Sequence, residues 1–435
     1  MPAKIKRLPW ASLLVWAYLI SGMVGKSCLE WLWQGTWRVH QATAVMLSMA
    51  FLGHLAFRWP HEDRIHGLPL PDRVARSALL AFLACVLASG LMQERLAMNI
   101  IVSLTYVGMV LMLGVYPEVC FRNIAPARLI DAVCVVVFLG TSGCVITVLT
   151  ASGIAFGEGR LNGIYNNPIT AARMLNLGCL LLLWRAARSR RYRKLALAGF
   201  MLTLIALVLT KTRTNIACVI VTSGTLLAHV LCRNRRSIGA TVTILGIVLG
   251  LAFLLLPKIV DHNRLSDTRA FLRLDKDPQD LTSDRMPYWK EGLRDLTSGR
   301  LLGEGYLAAF GGGSGGFQES AYNREDNRHN IFFSCAQSYG AIGCCLFCSF
   351  LFIALYRFIV RGTPLAALGV SVLLFTLITG TTGNCLLSFG DPADRFAWLL
   401  LGACWSCDRS ERVTMGTIQV AKKANLALPY HGGWR

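Results

Sequence analysis

Long runs of apolar residues, separated by short polar segments, dominate the chain up to about residue 406. The runs show no alternation of polar and apolar positions, so they predict helices rather than strands. Each is roughly 17 to 25 residues long, enough to cross a hydrocarbon core of about 30 Å. We therefore expect an all-α integral membrane protein with about twelve transmembrane helices. The predicted spans are approximately residues 9–25, 41–58, 75–93, 98–116, 128–151, 168–187, 195–211, 214–232, 238–257, 330–356, 364–384 and 392–406.

The composition agrees with a chain that lives in lipid. Of its 435 residues, 54% are hydrophobic and 16% are charged, and the mean hydropathy is +0.49. These values exclude an ordinary soluble domain. No small-residue cleavage signature follows the first apolar run, so we interpret that run as a retained span rather than a signal peptide.

Basic residues fall in alternate loops, which predicts the orientation of the helices. Stretches such as "RAARSRRYRK" lie on the same side as the first residues, whereas the short loops on the other side carry few basic residues. By the positive-inside rule the basic side is cytoplasmic. The net charge of +20 is then an orientation signal and a contact with anionic membrane lipids rather than a sign of nucleic-acid binding. The predicted cytoplasmic loops are 59–74, 117–127, 188–194, 233–237, 357–363 and the tail from 407.

This topology divides the chain into four parts. Residues 1–257 hold spans one to nine, 258–329 form one large periplasmic loop, 330–406 hold spans ten to twelve, and 407–435 form a cytoplasmic tail. The large loop carries eleven Lys or Arg and twelve Asp or Glu residues, so its bulk charge is close to neutral. A loop of this length among short ones usually carries function.

Two stretches of the large loop have recognisable character. "SDRMPYWKEGLRDLTSG" predicts an amphipathic helix on the bundle or the membrane interface, because Met286, Trp289, Leu293 and Leu296 recur at helical spacing. Downstream, "GEGYLAAFGGGSGG" predicts a flexible lid or hinge. It is not a phosphate-binding loop of the Lys-Ser or Lys-Thr type, because neither pair follows the glycines.

Polar residues gather where three segments reach the predicted outer face. Ionisable groups at that depth are costly unless they line a watery cavity or meet a charged ligand. The group therefore suggests a site for an anion. It comprises Arg160, Arg173, Lys211, Arg213, Arg285 and His329.

Some of these residues also have a purely structural interpretation. As an alternative to the anion site, Lys211 and Arg173 are interpreted as interfacial side chains that extend towards the lipid headgroups. Arg213 is interpreted as part of a tight turn. Asn167, followed by a proline, is also a candidate helix cap. So is the pair His329-Asn330.

Metal and disulfide chemistry are weakly indicated. "LDKDP" contains the pair Asp275 and Asp277, which we interpret as an acidic turn. The fifteen cysteines lie mostly in apolar spans and show no zinc-like spacing. We expect no metal site, no cofactor and no disulfide framework.

Five short segments stand out in a fixed order along the chain, over roughly residues 158 to 343. They are "RLNGIYNNPITAA", "LTKTRTNIA", "DRMPYWKEGL", "LLGEGY" and "RHNIFFSCAQSYGAIG". The last of them carries His-Asn, a few apolar residues and then Gly-x-x-Gly. Together they resemble the O-antigen ligase and O-antigen polymerase superfamily.

The resemblance implies a C-type glycosyltransferase fold and a donor glycan linked to undecaprenyl pyrophosphate. Carried onto matching positions, it makes Arg213 and Arg285 the pyrophosphate-binding arginines and His329 the catalytic histidine. The other implied substrate-binding residues are Arg160, Asn167, Lys211 and Asn330. The implied acceptor is a lipid A–core oligosaccharide, and the implied location is the inner membrane with the site facing the periplasm.

The residue types suit that chemistry. Guanidinium groups stabilise the charge that develops on a departing pyrophosphate, and a histidine at a partly desolvated boundary can take the proton of a sugar hydroxyl. Direct displacement would invert the anomeric centre.

Two other functions are consistent with the sequence. A polymerase would share these motifs; the single dominant outward loop favours a ligase. A transporter or flippase for anionic lipids would suit twelve helices, but it usually shows two related halves and a site near the membrane midplane. Polar residues at the outer ends of helices would favour surface chemistry over transport.

Overall fold

The computed structural model describes the apolar helices and the segments that join several of them. The described residues are 9–25, 36–58, 70–91, 96–121, 124, 126–150, 156–157, 160–165, 167–232, 286–298, 300–306, 330–383, 385–387 and 391–406.

The described chain is almost wholly helical. A short antiparallel pair, β1 (Phe156–Gly157) and β2 (Arg160–Leu161), joins Phe156 to Leu161 and Gly157 to Arg160. The helices are α1 (Pro9–Gly25), α2 (Thr36–Arg58), α3 (Leu70–Gly90), α4 (Leu96–Val110, continued by the π-helical turn Leu111–Val115), α5 (Pro117–Cys120), α6 (Pro126–Leu149), α7 (Pro168–Arg188), α8 (Arg193–Leu209), α9 (Arg213–Cys232), α10 (Met286–Thr297), α11 (Ile331–Arg361), α12 (Pro364–Gly380) and α13 (392–406).

Eleven of the predicted spans coincide with described helices to within about five residues at each end. The ninth, 238–257, lies outside the described residues, as does most of the large loop. The chain is a multi-pass membrane protein. Within the described residues, five helical segments are long and apolar enough to cross a membrane: Arg73–Gly90, Leu96–Val115, Pro126–Thr147, Pro168–Arg188 and Ile331–Arg361.

Helix α7 is the centre of the bundle. Sixteen of its 21 residues are buried, and it packs against α6, α8, α9 and α12. Small residues allow the close approach: a Cβ at Gly178 would lie 2.7 Å from Thr141 Cγ2, so α6 and α7 touch almost backbone to backbone.

The two ends of α7 differ in chemistry. Near its C-terminal end Arg185 forms an ion pair with Asp131 of α6, and Arg188 lies over the Trp184 ring; this is the basic end that the loop pattern predicts to be cytoplasmic. We call the opposite end the site face. There α7, α9 and α11 begin and α12 ends, and it includes most of the candidate residues.

The tenth predicted span is wrong as one continuous helix. Gly340 has φ 70° and ψ −172°, which breaks α11 into a short limb, residues 331–339, and a long limb, residues 341–361. Cys344 Sγ lies 3.7 Å from the carbonyl oxygen of Phe332. In a straight helix these residues would be about 18 Å apart along the axis, so the chain turns sharply at Gly340. Of the two limbs, only the long one has enough residues to span lipid.

The segment 300–306, which we call the docked segment, closes this break. Its amides at Glu304 and Gly305 donate to the carbonyls of Gln337 and Ser338, both at 2.9 Å. In return the amides of Ala341 and Ile342 donate to the carbonyls of residues 300 and 301 at 3.0 and 3.3 Å. A broken helix leaves such groups without intrahelical partners. The docked segment satisfies them by crossing the break.

Candidate functional site

The first candidate group lies where β2 meets the turn between α8 and α9. Arg160 Nε donates to the carbonyl oxygen of Thr210 at 3.1 Å. Thr210 and Thr212 are joined through their hydroxyls at 2.7 Å, and Arg213 is the first residue of α9. The structure therefore brings Arg160 to the turn that carries Lys211 and leads into Arg213. These are three of the cationic residues predicted from sequence.

Lys211 has an unusual backbone. Its φ is 53°, in the left-handed region that a lysine seldom occupies. Two backbone hydrogen bonds fix the turn. The amide of Thr210 donates to the carbonyl oxygen of Leu207 at 3.1 Å, and the amide of Lys211 donates to that of Val208 at 3.0 Å. Such strain persists only where the surroundings determine the conformation, and it is found often at functional sites.

Both candidate asparagines cap helices. The amide oxygen of Asn167 accepts from Ile169 N at 2.7 Å at the start of α7. The amide oxygen of Asn330 accepts from Phe332 N and Phe333 N at 2.9 and 3.4 Å at the start of α11. The capping interpretation is confirmed for these two residues. A substrate contact through either amide nitrogen stays a prediction.

Asn330 also ties two helices together at the site face. Its side-chain nitrogen lies 3.4 Å from the carbonyl oxygen of Thr381, just after α12. Ile331 packs against Gly380, where a Cβ would lie 2.9 Å from Ile331 Cγ2. The start of the short limb is therefore held against the end of α12.

His329 and Arg285 lie outside the described residues. In the sequence His329 immediately precedes the cap Asn330, and Arg285 immediately precedes Met286, the first residue of α10. Their assigned roles stay predictions. The described helices that follow them nevertheless belong to one compact group at the site face.

That group consists of α10, the docked segment and the short limb of α11. A Cβ at Gly292 of α10 would lie 2.6 Å from Phe333 Cβ, so the two helices touch closely there. Tyr306 ends the docked segment and is only 3% exposed; its ring centre lies 5.7 Å from that of Tyr106 in α4. The short limb is thus packed between two elements of the large loop. The prediction of a flexible hinge is wrong for residues 303–306, and 307–316 lie outside the described residues.

Three glycines make the break in α11 and the crossing possible. Gly340 supplies the left-handed φ, and a Cβ there would lie 2.4 Å from the carbonyl oxygen of Leu301. A Cβ at Gly303 would lie 2.3 Å from Ser338 C, and one at Gly343 would lie 2.4 Å from Tyr339 Cβ. Real Cβ atoms do not approach so closely. The glycines of "LLGEGY" and "GAIG" therefore have a packing role that the sequence alone did not reveal.

Arg173 is not an interfacial side chain, so that interpretation is wrong. It is 7% exposed, and its Nη1 donates to Asp391 Oδ2 at 2.8 Å. Asp391 Oδ1 also accepts from Ala393 N at 2.9 Å and so caps α13. The ion pair fastens the start of α13 to α7 at the site face.

Sequence reasoning missed the other charged residues of α13. Asp394 and Arg395 are both 0% exposed. Arg395 Nη1 donates to the carbonyl oxygen of Tyr18 at 2.9 Å, and its guanidinium lies 3.9 Å from the centre of the Tyr18 ring. The signal was present: charged residues at the start of an otherwise apolar run are costly in lipid and need partners.

Tyr165 borders this ionic group. Burial raises the pKa of its hydroxyl well above the ordinary value, and the nearby Cys144 and Asp391 raise it further. The hydroxyl is buried and has no hydrogen-bond partner among the described residues. Tyr165 therefore stays neutral near pH 7 and is a poor candidate for an acid or base.

Among the residues described, no group of three or more His, Cys, Asp or Glu side chains is placed to hold a metal ion. Asp275 and Asp277 lie outside those residues. Metal independence therefore stays a prediction.

Comparison with known families gives a match over part of the chain. Residues 198–348 match the family described as O-antigen ligase. This region is therefore similar to that family. The resemblance predicted from the five segments is thus confirmed. No curated protein matches the chain.

The matched region contains some of the elements described above. It runs from α8 into the long limb of α11 and includes Arg213, Arg285 and His329. The docked segment and the broken helix also lie within it. Arg160, Asn167 and the ion pair of α7 with α13 lie outside.

Proposed function

We propose that this protein is an O-antigen ligase. It transfers a glycan from undecaprenyl pyrophosphate to a hydroxyl of a lipid A–core oligosaccharide, at the periplasmic face of the inner membrane. The C-type glycosyltransferase fold, inversion at the anomeric carbon and independence of metal belong to the same proposal. The family relationship supports the class of reaction, and the chemistry of the site face supports the roles of individual residues.

The supporting observation is the convergence of cationic residues from separate segments at one end of the bundle. Arg160 from β2 contacts the turn that leads into Arg213, and both lie at the end opposite the basic loops. The buried ionic groups around Arg173 and Asp391 gather at the same end. Polar groups at helix ends favour chemistry at the membrane surface over transport across the midplane.

The reaction requires one bond to form and one to break. The acceptor oxygen attacks the anomeric carbon of the donor as the bond between that carbon and the phosphate oxygen breaks, and the electron pair leaves with the pyrophosphate. Arg213 and Arg285 stabilise the charge of the departing pyrophosphate, because guanidinium groups bind phosphate oxygens in pairs. His329 accepts the acceptor's proton.

The helix cap at Asn330 supports the role of His329 as the catalytic base. Asn330 already caps the short limb through its amide oxygen, so the cap does not require a histidine at position 329. Capping by Asn330 therefore does not account for a histidine at position 329. A role as the catalytic base does account for it.

The test is transfer by purified protein in vesicles, with lipid-linked glycan and lipid A–core acceptor. His329→Asn should keep expression and donor binding while transfer falls on the order of a hundredfold or more. His54→Asn, in α2 and away from the site face, is the matched control and should transfer normally. Wild-type rates in His329→Asn at saturating substrates would refute the base role.

The arginines are tested by substitutions that change the shape of the cationic group and keep its charge. Arg213→Lys and Arg285→Lys keep the positive charge but lose the planar fork, so donor binding or turnover should fall. Arg188→Lys, at the basic end of α7, is the control and should have little effect. If the two arginines form one phosphate clamp, the double variant should lose less than the sum of the singles.

The same assay separates the alternatives. Glycan transfer should persist in excess EDTA without added nucleotide. If chelation abolishes activity and magnesium or manganese restores it, a metal ion held by Asp275 and Asp277 would stabilise the leaving pyrophosphate instead. Longer glycans built on undecaprenyl pyrophosphate without use of the lipid A–core acceptor would identify a polymerase. Movement of the lipid-linked glycan without transfer would identify a flippase.

A further inference from the structure

Helix α10 has an apolar side that no other described part of the chain covers. Leu293 is 53% exposed and Leu296 is 38% exposed. The only close bundle contact described above is made by Gly292, on Phe333. Leu301 in the docked segment is 65% exposed. We call these three leucines the leucine surface. Two of them lie on α10 and the third lies in the docked segment, and both elements pack against α11.

The order of side chains around α10 places the leucine surface between the bundle and a charged side. At 3.6 residues per turn, Leu296 lies about 40° and Leu293 about 100° around the axis from Gly292. Lys290 and Arg294 lie at about 160° and 200° on the same reckoning, and both are exposed. One side therefore touches protein, the next is apolar and the third is charged. A helix at a membrane–water boundary has this arrangement.

The leucine surface continues a surface that already faces lipid. Leu301 accepts a backbone hydrogen bond from Ile342 at 3.3 Å, and Ile342 is itself 43% exposed on the long limb. Farther along that limb Phe352 is 67% exposed, and the limb belongs to one of the apolar helices long enough to span a membrane. Leu301 is therefore at the edge of the lipid-facing side of α11.

The hydrogen bonds of the docked segment make this continuity rigid. Leu301 cannot withdraw from the edge without loss of the bond to Ile342 and its neighbours, so it has a fixed level relative to the long limb. Because α10 ends at Thr297 and the docked segment begins at Arg300, the level of α10 is fixed as well. With respect to the described residues, its exposed leucines then face outward, at the level of the outer part of the same lipid layer.

We infer that α10 lies along the membrane–water boundary, with Leu293, Leu296 and Leu301 in the acyl layer of the surrounding phospholipids. Lys290 and Arg294 extend towards the headgroups and water, as long basic side chains do at this depth. The large loop is thereby anchored to the bilayer as well as to the bundle. The start of α10, which Arg285 precedes, is held at the level of lipid phosphates. The inference does not depend on the transfer reaction.

The test measures the depth of α10 in the full chain. A fluorescent amino acid is encoded singly at Leu293, Leu296 or Leu301, and at Lys290 and Arg294 as controls on the same helix. The proteins are placed in vesicles of phosphatidylethanolamine and phosphatidylglycerol. Quenching is compared between spin-labelled lipid and aqueous iodide. The leucine positions should be quenched several-fold more by the lipid quencher than the two basic positions, with the opposite order for iodide.

Three results would overturn the inference. Equal iodide quenching at leucine and basic positions would mean that the leucines face water. Protection from both quenchers would mean that another segment of this chain covers them. Protection that disappears on dilution of protein in lipid would mean that a second copy covers them.

A second measurement does not depend on fluorescence. A photoreactive benzophenone amino acid at Leu301 should form adducts with phospholipid, identified by mass spectrometry, whereas the same group at Arg294 should form few. Adducts with protein alone at Leu301 would contradict lipid contact. Since all these positions are exposed, the replacements should leave the bundle folded, which an unchanged thermal unfolding midpoint checks.

Discussion

Replacement of Gly303 by alanine tests the crossing at the broken helix. A Cβ at this position would lie 2.3 Å from Ser338 C and from Tyr339 N, and 2.5 Å from the carbonyl oxygen of Gln337. These are backbone atoms, so no side-chain rotation relieves the overlap. The docked segment would have to move by about an ångström to restore ordinary contact. Such a shift is incompatible with amide hydrogen bonds of 2.9 to 3.3 Å.

The expected cost follows from the bonds that hold the segment. Four backbone hydrogen bonds join it to α11, and at about 0.5 to 1.5 kcal/mol each they contribute roughly 2 to 6 kcal/mol. Gly303→Ala should remove most of this local stability and leave the rest of the bundle intact. At 1.4 kcal/mol per factor of ten, a loss of 2 kcal/mol raises the population of the undocked state about 30-fold.

Hydrogen exchange in lipid nanodiscs measures that population. The amides of Glu304, Gly305, Ala341 and Ile342 should lose protection by about 30-fold or more in Gly303→Ala, whereas amides of α7 should be unchanged. Gly53→Ala is the matched control, because a Cβ there would meet nothing within 4 Å. Wild-type protection at the four amides in Gly303→Ala would refute the crossing.

Further predictions concern the ion pair, the strained turn and the topology. Arg173→Ala should destabilise the protein by about 3 to 5 kcal/mol, because it leaves Asp391 without its partner; Arg173→Ala with Asp391→Asn should lose less than the sum, and additive losses in thermal unfolding would contradict the pair. Lys211→Gly should keep or raise the unfolding midpoint, because glycine accepts a φ of 53° without strain; a clear fall would contradict the left-handed turn. Thiol labelling of a cysteine-depleted protein should reach Gly313→Cys from outside and Ser189→Cys only after permeabilisation, and labelling of both from one side would refute the orientation.

The sequence was sufficient for the helices because their signals are local. Apolar runs set the spans, and caps such as Asn167 and Asn330 set the starts. The amphipathic spacing of "MPYWKEGLRDL" predicted α10 correctly, although it did not reveal which side would meet the bundle. That side is chosen by Gly292, the residue without a side chain, because only there can Phe333 approach so closely.

The rest depended on contacts between distant residues. Arg173 and Asp391 are 218 positions apart, and neither position alone indicates the other. Residues 331–361 are apolar almost throughout and therefore predict one continuous helix. The break at Gly340 is stable because the docked segment supplies the missing hydrogen bonds, and no local pattern reports that.

The two family segments "LLGEGY" and "RHNIFFSCAQSYGAIG" are halves of one structural unit. Their glycines allow two backbones to cross, whereas the His-Asn pair lies at the start of the short limb that this crossing holds. Gly303 and Gly340 therefore act at a distance from any substrate, through the position of the short limb. If His329 is the base, its position depends on α11, a helix that lacks some of its own backbone hydrogen bonds at the break. A large loop that docks into the membrane domain is then a requirement of the site rather than an addition to it.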